Sequence, residues 1–493
     1  MRQLRLHAMS RPTSVIVAGR TIGYVAAFAI PVVLARLFDQ TEFGIYKQIF
    51  LIYGTLYVLA QVGIAESLYY FVPRNPGQSG RHVSNALATL AAAGGVCFAL
   101  LAISRNRIGD LLGTPALANY LPLLGAFVAL MLMTALFEIV LVSRKRYLAA
   151  AWTYAASDVG RTVLIVLPAL LLGGIRWVMI GAVAFAAMRF VAMLVALWRE
   201  FRGAIGGDAQ LWRRQLAYAM PFALAVGVEV VQMNFHQYFV AARFDAATFA
   251  VYAVGCLQIP LVDVIATSSA NVMMVRMSAD GADRHGAAAL AAWHLTVLRL
   301  AFVMFPLTVF LILTARHIIT ILFTSSYLAS VPIFMLWTLT ILPAVFCVDA
   351  VLRVYAQTRF MFAMNLLRLV ILAAMIGWLT AAFGLAGAVL VTLASTVIAR
   401  VVGLVRIARL MQVGLTQVLP YGRLLATAGC ALAAAAPAYW IVTSVTWPPL
   451  LVVALAAVVY GLCYLALYQL SLRAAHATAD APRRRLLAWL TEG

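Results

Sequence analysis

The side chains with chemistry to offer are the charges that interrupt long apolar runs. Arg20, Arg161, Arg189, Arg299, Arg368 and Arg400 stand on the basic side, and Glu66, Glu138, Asp158, Glu229, Asp263 and Asp349 on the acidic side. An ionisable group at membrane depth is costly and usually faces a protein interior or a wet cavity. The planar donor fork of arginine matches phosphate oxygens, so Arg20, Arg161, Arg299 and Arg368 are candidate ligands for an anionic substrate. Arg161 and Arg299 fall near the middle of their runs, beyond easy snorkelling. Arg20 lies about 9 Å in from the inner end of its run, where pairing with Glu66 competes with snorkelling to the surface. Glu229 and Asp263, with His236 one to two turns further outward, could carry a proton or hold Na⁺; satisfying the backbone or one another is the alternative. Asp158 and Arg161 share a helix face at i, i+3 and can pair. Glu138, Asp349, Arg189 and Arg400 lie near inner ends, where helix pairing or snorkelling is the simpler role.

The rest of the composition says what must position these groups. The chain has 493 residues, mean hydropathy +0.98, 65% hydrophobic residues and 11% charged ones. Soluble domains are nearer half apolar and a quarter charged, so this is an all-α polytopic membrane protein. The net charge of +20 would suggest nucleic acid in a soluble chain, but no basic region is long enough for a separate nucleic-acid-binding domain. Five scattered cysteines, without Cys-x-x-Cys, indicate neither a disulfide framework nor a zinc site. No Gly-x-x-x-x-Gly-Lys-[Ser/Thr] loop occurs, so ATP is not hydrolysed by that route. The outer loops are short and nearly uncharged, which argues against an enzyme.

A span needs about 20 apolar residues, and the sequence holds about fourteen such runs. They fall at 14–36, 44–72, 83–104, 118–143, 148–172, 175–198, 215–241, 247–274, 287–314, 330–352, 360–382, 384–407, 421–442 and 448–470. Lysines and arginines crowd into alternate loops, Arg144-Lys145-Arg146 among them. The positive-inside rule then puts both termini in the cytoplasm. Prolines within the runs (Pro31, Pro168, Pro221, Pro260, Pro306, Pro343, Pro437) predict bends. Aromatic residues near run ends, such as Tyr46, Tyr70 and Trp198, read as interfacial anchors.

An internal repeat organises these runs. Phe38-Asp39, Phe43 and Tyr46 return 206 residues later as Phe244-Asp245, Phe249 and Tyr252. Six runs separate the copies, so the two halves are expected to be parallel six-helix repeats, followed by two further helices. The sequence echoes Asp158-x-x-Arg161 in Asn365-x-x-Arg368, and Arg189 in Arg400. The expected organisation is a six-helix lobe over 1–205, a second over 206–410, two added helices over 411–472 and a basic tail over 473–493. Asp39 and Asp245 are expected to cap helices or to pair with Arg36 and Arg243.

Ala35-Arg36-Leu37-Phe38, Thr41-Glu42-Phe43-Gly44-Ile45-Tyr46 and Gly63-Ile64-Ala65-Glu66-Ser67-Leu68-Tyr69-Tyr70-Phe71-Val72-Pro73-Arg74 carry a family look. The chain resembles the polysaccharide transporters, flippases of O-antigen and exopolysaccharide units, within the multidrug/oligosaccharidyl-lipid/polysaccharide exporter superfamily. The resemblance implies a bacterial inner-membrane protein with cavity arginines that hold the diphosphate of an undecaprenyl-linked oligosaccharide. It also implies alternating access, no cofactor beyond H⁺ or Na⁺ coupling, and membrane lipids and polysaccharide polymerase machinery as partners. Acidic residues equal to the arginines in number depart from a strongly cationic cavity. The alternatives are a cation-coupled multidrug antiporter using Glu229 and Asp263, and a non-transport scaffold for polysaccharide assembly.

Overall fold

A computed structural model describes Gly23 and residues 26–201, 206–279 and 287–477, and every regular element among them is helical. An apolar helix, α1 (Ala26–Leu37), leads to α2 (Gln40–Ala60), α3 (Ile64–Arg74), α4 (Ser79–Ile103) and the short α5 (Arg105–Leu111). Then come α6 (Leu121–Thr134), α7 (Leu136–Ser143), α8 (Tyr147–Leu172), α9 (Gly174–Phe201) and α10 (Ala209–Arg243). The chain continues through α11 (Ala246–Gly255), α12 (Pro260–Ala279), α13 (Ala287–Leu313), α14 (Ala315–Phe323), α15 (Val331–Thr338) and α16 (Val348–Val354). The last four are α17 (Thr358–Phe383), α18 (Leu385–Leu410), α19 (Tyr421–Ser444) and α20 (Pro449–Ala477). Among the described residues 12 helical stretches are long and apolar enough to cross a membrane, or 13 if the bent pair α11–α12 counts as one span. The fourteenth expected run, 14–36, lies partly outside the described residues.

Three spans are broken. Between α2 and α3 lie Val62 and Gly63, two successive left-handed residues with φ 50° and 64°, a conformation glycine takes freely and valine does not. No proline marks that break. Pro260 starts α12 after a bend of 46°, and Pro343 sits in a 3₁₀ stretch, Leu339–Phe346, that ends at left-handed Cys347. Pro168, Pro221, Pro306 and Pro437 instead lie inside continuous helices, so only Pro260 and Pro343 coincide with a break.

The repeat is written in local geometry. Phe38 N donates to Leu34 O and Phe43 N to Asp39 O; Phe244 N donates to Val240 O and Phe249 N to Asp245 O, each 206 residues on. Asp39 also caps α2, its carboxylate accepting from Glu42 N at 2.7 Å. Further along the offset becomes 211. Left-handed Gly113, Lys145 and Gly173 correspond to left-handed Thr324, Ala356 and Gly384. The ion pair of Glu138 with Arg189 corresponds to that of Asp349 with Arg400. This register corrects one expectation. Helices α8 and α17 are both 26 residues long and begin after equivalent turns, so Arg161 aligns with Leu372, and Arg368 with Ser157. The apparent echo of Asp158-x-x-Arg161 is out of step by one helical turn.

Contacts divide the chain into two compact units: residues 1–253 with 369–378, and residues 254–368 with 379–493. In the first, α8 approaches α1 where Thr162 Oγ1 donates to Ala26 O at 3.0 Å, and where a Cβ on Gly23 would overlap the Asp158 carboxylate. In the second, α19 presents Ala431, Ala434 and Ala438 to α20. Small residues let helix backbones approach where lipid supplies no hydrophobic drive. Tyr460 and Tyr464 of α20 donate to Ala431 O at 3.1 Å and to Phe302 O of α13 at 2.9 Å.

Candidate functional site

The membrane-depth charges sort into held and open groups. Glu138 and Arg189 are the most enclosed, with side chains 4% and 14% exposed and both carboxylate oxygens 2.8 Å from Nη2. Arg400 pairs with Asp349 in the second unit. The pairings follow from helix register, each acid standing 51 residues before its arginine. These four charges tie helices together in pairs, the pairing alternative rather than snorkelling.

Arg161 is held lightly. Its Nη2 donates to Asp158 at 2.9 Å, one turn back on α8, and about a quarter of its side chain is exposed. Its Nε is buried with no hydrogen-bond partner. Tyr46 and Tyr53 of α2 lie within electrostatic reach of this guanidinium. Tyr53 also senses Asp158 and Arg189, while Tyr57, stacked on Tyr53 at 5.5 Å, senses Glu138 and Glu66. The first unit thus gathers Arg161, Asp158, Glu66 and the tyrosine row of α2 into one polar and aromatic zone. Glu66 is exposed on α3, and Arg20, its expected partner, lies outside the described residues.

In the second unit Arg368 donates from Nη2 to Thr396 Oγ1 at 2.9 Å. Arg299 is different. It sits 12 residues into the 27-residue helix α13, exposed, and makes no ion pair among the described residues. Twelve residues are about 18 Å of helix, near the midplane of a hydrocarbon core about 30 Å thick. A guanidinium facing lipid at that depth is costly, which makes Arg299 a candidate for a polar environment. Glu229 on α10 and Asp263 on α12 are exposed as well. His236 is not: it is buried, with Nδ1 2.6 Å from the Tyr252 hydroxyl. Among the described residues no three of His, Cys, Asp and Glu converge as metal ligands would.

The first unit also contains a polar clasp with no single conspicuous residue. Asn85 of α4 exchanges two hydrogen bonds with the Asp208 backbone, at 2.9 and 3.1 Å. The Asp208 carboxylate caps α10 by accepting from Gln210 N and Leu211 N, both at 3.0 Å, with Arg81 at 3.5 Å. Its pKa is held below the usual carboxylate range, first by the Leu211 amide, with desolvation opposing and Gln210 and Arg81 adding to the lowering. Trp212 Nε1 donates to Thr89 at 2.9 Å. Deeper in, Gln215 donates to Ser67 at 2.9 Å and lies 3.4 Å from His82, and Tyr218 stacks on Tyr70. The first turns of α10 are thereby fastened to α3 and α4.

A family profile described as "Polysaccharide biosynthesis protein" matches residues 33–332. The chain belongs to this family. No curated protein matches it in sequence. Among solved structures it is similar to the lipid II flippase MurJ in an inward closed conformation, with TM-score 0.75 and 14% identity over 93% of this chain and 99% of that one. It is also similar to an inward-facing multidrug resistance MATE transporter of the MOP superfamily (TM-score 0.62, 13% identity, 80% and 96% covered). A MOP superfamily transporter from Pyrococcus furiosus, described as having a binding pocket of reversed polarity, follows at 0.57 and 14% identity, with 81% and 95% covered. At these identities the likeness establishes the fold, that of the MurJ and MATE transporters.

In this member of the polysaccharide biosynthesis family the sequence located every charged group of the zone around Arg161 but missed its aromatic wall. Tyr46 is 5% exposed, a packed residue rather than an interfacial anchor. The row Tyr46, Phe50, Tyr53, Tyr57 recurs every three to four residues, which places it on one face of α2. The clasp on α10 was legible only as Asp208 preceding an apolar run, an N-cap signature.

Proposed function

We propose that the protein is a flippase that moves an undecaprenyl-diphosphate-linked oligosaccharide from the inner to the outer leaflet of the bacterial cytoplasmic membrane, for polysaccharide or O-antigen assembly. The multi-pass helical fold and membership of a polysaccharide biosynthesis family support this reading. The observation that carries it is Arg299, an exposed guanidinium near the midpoint of a membrane-spanning helix, without an ion-pair partner among the described residues. A diphosphate offers it the charge and the paired acceptors that lipid cannot. In the first unit Arg161, tethered to Asp158 yet with an unsatisfied Nε, is a separate candidate ligand for an anionic group. The tyrosines of α2 give the sugar surfaces to stack on.

In this mechanism the protein, built of repeats 1–205 and 206–410 with both termini cytoplasmic, exposes its substrate site to one side of the membrane and then the other. Release of the α10 clasp admits the headgroup from the inside. Binding is electrostatic and reversible, so the chain needs no catalytic residue. The exposed carboxylates Glu229 and Asp263 would take the coupling H⁺ or Na⁺. Polymerase machinery would consume the product in the outer leaflet. A cation-drug antiporter would use the same two carboxylates as its binding pair.

The test is a set of variants, Arg299→Ala, Arg299→Lys and Arg161→Ala, in cells whose surface polysaccharide depends on the protein. The expected result is an accumulation of inner-leaflet lipid-linked units at normal protein level, worst for Arg299→Ala and partly rescued by lysine. Full export from Arg299→Ala would overturn the assignment. Drug resistance conferred on expressing cells and lost in Glu229→Gln would favour the antiporter.

A further inference from the structure

The turn between α7 and α8 reads Arg144-Lys145-Arg146, and it borders a cleft. The cleft lies between α7 and α9, is shallow and open with an inner volume of only about 30 Å³, and has Phe137, Leu141 and Leu197 along its apolar side. Arg144, Arg146 and Glu200 stand at its polar end. Glu200 faces both guanidiniums: Arg146 Nη1 is 2.7 Å from one oxygen and Arg144 Nε is 3.7 Å from the other. The second distance is too long for a hydrogen bond, and Arg144 Nε is buried without a hydrogen-bond partner. Each guanidinium carries five N–H donors, so one carboxylate leaves most of them unused.

The repeat supplies an internal control. The turn Tyr355-Ala356-Gln357, 211 residues on, makes the same three backbone hydrogen bonds. Arg144 N, Lys145 N and Arg146 N donate to Val140 O, Val142 O and Leu141 O; Tyr355 N, Ala356 N and Gln357 N donate to Val351 O, Arg353 O and Leu352 O. The middle residue is left-handed in both, at φ 60° and 54°. The fold therefore builds this turn without a basic triad. Setting topology requires positive charge somewhere in the loop, but it does not require two guanidiniums converging on the end of an apolar cleft. Trp198, 67% exposed on α9 beside the cleft residues, marks the membrane–water boundary, where indole rings favour the headgroup level.

We propose that this cleft is a binding site for an anionic phospholipid of the surrounding bilayer. Its phosphate sits between Arg144 and Arg146, and one acyl chain lies along Phe137, Leu141 and Leu197. A basic pocket between spans at headgroup depth, continuous with an apolar wall, meets both halves of such a lipid. A free phosphate lacks the acyl chain, and a zwitterionic lipid brings a cationic headgroup that weakens its attraction to two guanidiniums. The site is separate from Arg161 and Arg299 and does not depend on the flippase reading.

The experiment uses the purified full-length protein and measures retained lipid by native mass spectrometry, with thermal shift alongside. The probes are phosphatidylglycerol, phosphatidylcholine and inorganic phosphate. The wild type is expected to retain phosphatidylglycerol in preference to phosphatidylcholine and to ignore phosphate. Arg144→Gln and Arg146→Gln should each weaken phosphatidylglycerol retention about 5-fold. Glu200→Gln, which releases both arginines from their protein partner, should strengthen it. Equal retention of both lipids, an equal thermal shift with inorganic phosphate, undiminished retention in the double arginine variant, or unchanged or weaker retention in Glu200→Gln would each overturn the proposal. The last readout keeps it testable if the arginine variants fold poorly.

Discussion

Two ion pairs in equivalent places do not carry equal weight, and exposure separates them. The Glu138 side chain is 4% exposed and that of Asp349 46%. Removing one member of a buried pair strands a charge and typically costs about 3–5 kcal/mol, whereas an exposed pair contributes about 1 kcal/mol or less. Glu138→Gln should therefore lower the unfolding midpoint in detergent markedly, with Asp349→Asn having a small effect. Adding Arg189→Met to Glu138→Gln should recover part of the loss, because the orphaned guanidinium goes with it. Equal destabilisation by the two single variants would contradict this ranking. Held pairs such as these stiffen the helices that flank the open groups, so the ligand role of Arg299 and Arg161 can be tested apart from stability.

The clasp on α10 shows how a helix terminus can be tuned at little cost. Asp208 has a folded-state pKa below its unfolded value. Its stabilisation is therefore fully present above the usual carboxylate range and is lost as pH falls through the depressed value. The melting difference between wild type and Asp208→Ala should stay constant from about pH 8 to 5 and narrow below about pH 4. A difference that grows on acidification would reverse the sign argument. At the other end of the chain, Tyr464→Phe removes the bond to Phe302 O and should destabilise by about 1 kcal/mol, read as a lower melting temperature. These elements also mark what a sequence can reveal. Spans and repeat are legible because apolar length and recurring corner residues are local signals. The Val62–Gly63 break and the clasp are not, since both depend on which helices meet. The misaligned Arg368 has the same origin: short residue echoes fix a register less firmly than equivalent turns do.

At the scale of the whole molecule, a protein that alternates must let go of something, and the fastening of α10 to α3 and α4 is a built candidate for it. Asn85 and the Asp208 backbone exchange hydrogen bonds, Trp212 bonds Thr89, and Gln215 bonds Ser67. Apart from the exposed Arg81–Asp208 pair, which contributes about 1 kcal/mol or less, these partners are neutral side chains or backbone groups, and each such bond contributes only about 1 kcal/mol net. A set of this size can hold one state and still yield to a ligand with a modest differential affinity. If access to the cavity requires α10 to part from α4, joining them covalently must stop transport. Cysteines at positions 85 and 208, in a chain whose native Cys97, Cys256, Cys347, Cys430 and Cys463 are replaced, provide the handle. Bridging them with a reducible crosslinker should abolish flipping of lipid-linked units in vesicles, and reduction should restore it. Each single-cysteine variant should flip with or without the reagent. Undiminished flipping in the bridged protein would show that α10 and α4 move as one body, and the moving boundary would have to be sought elsewhere.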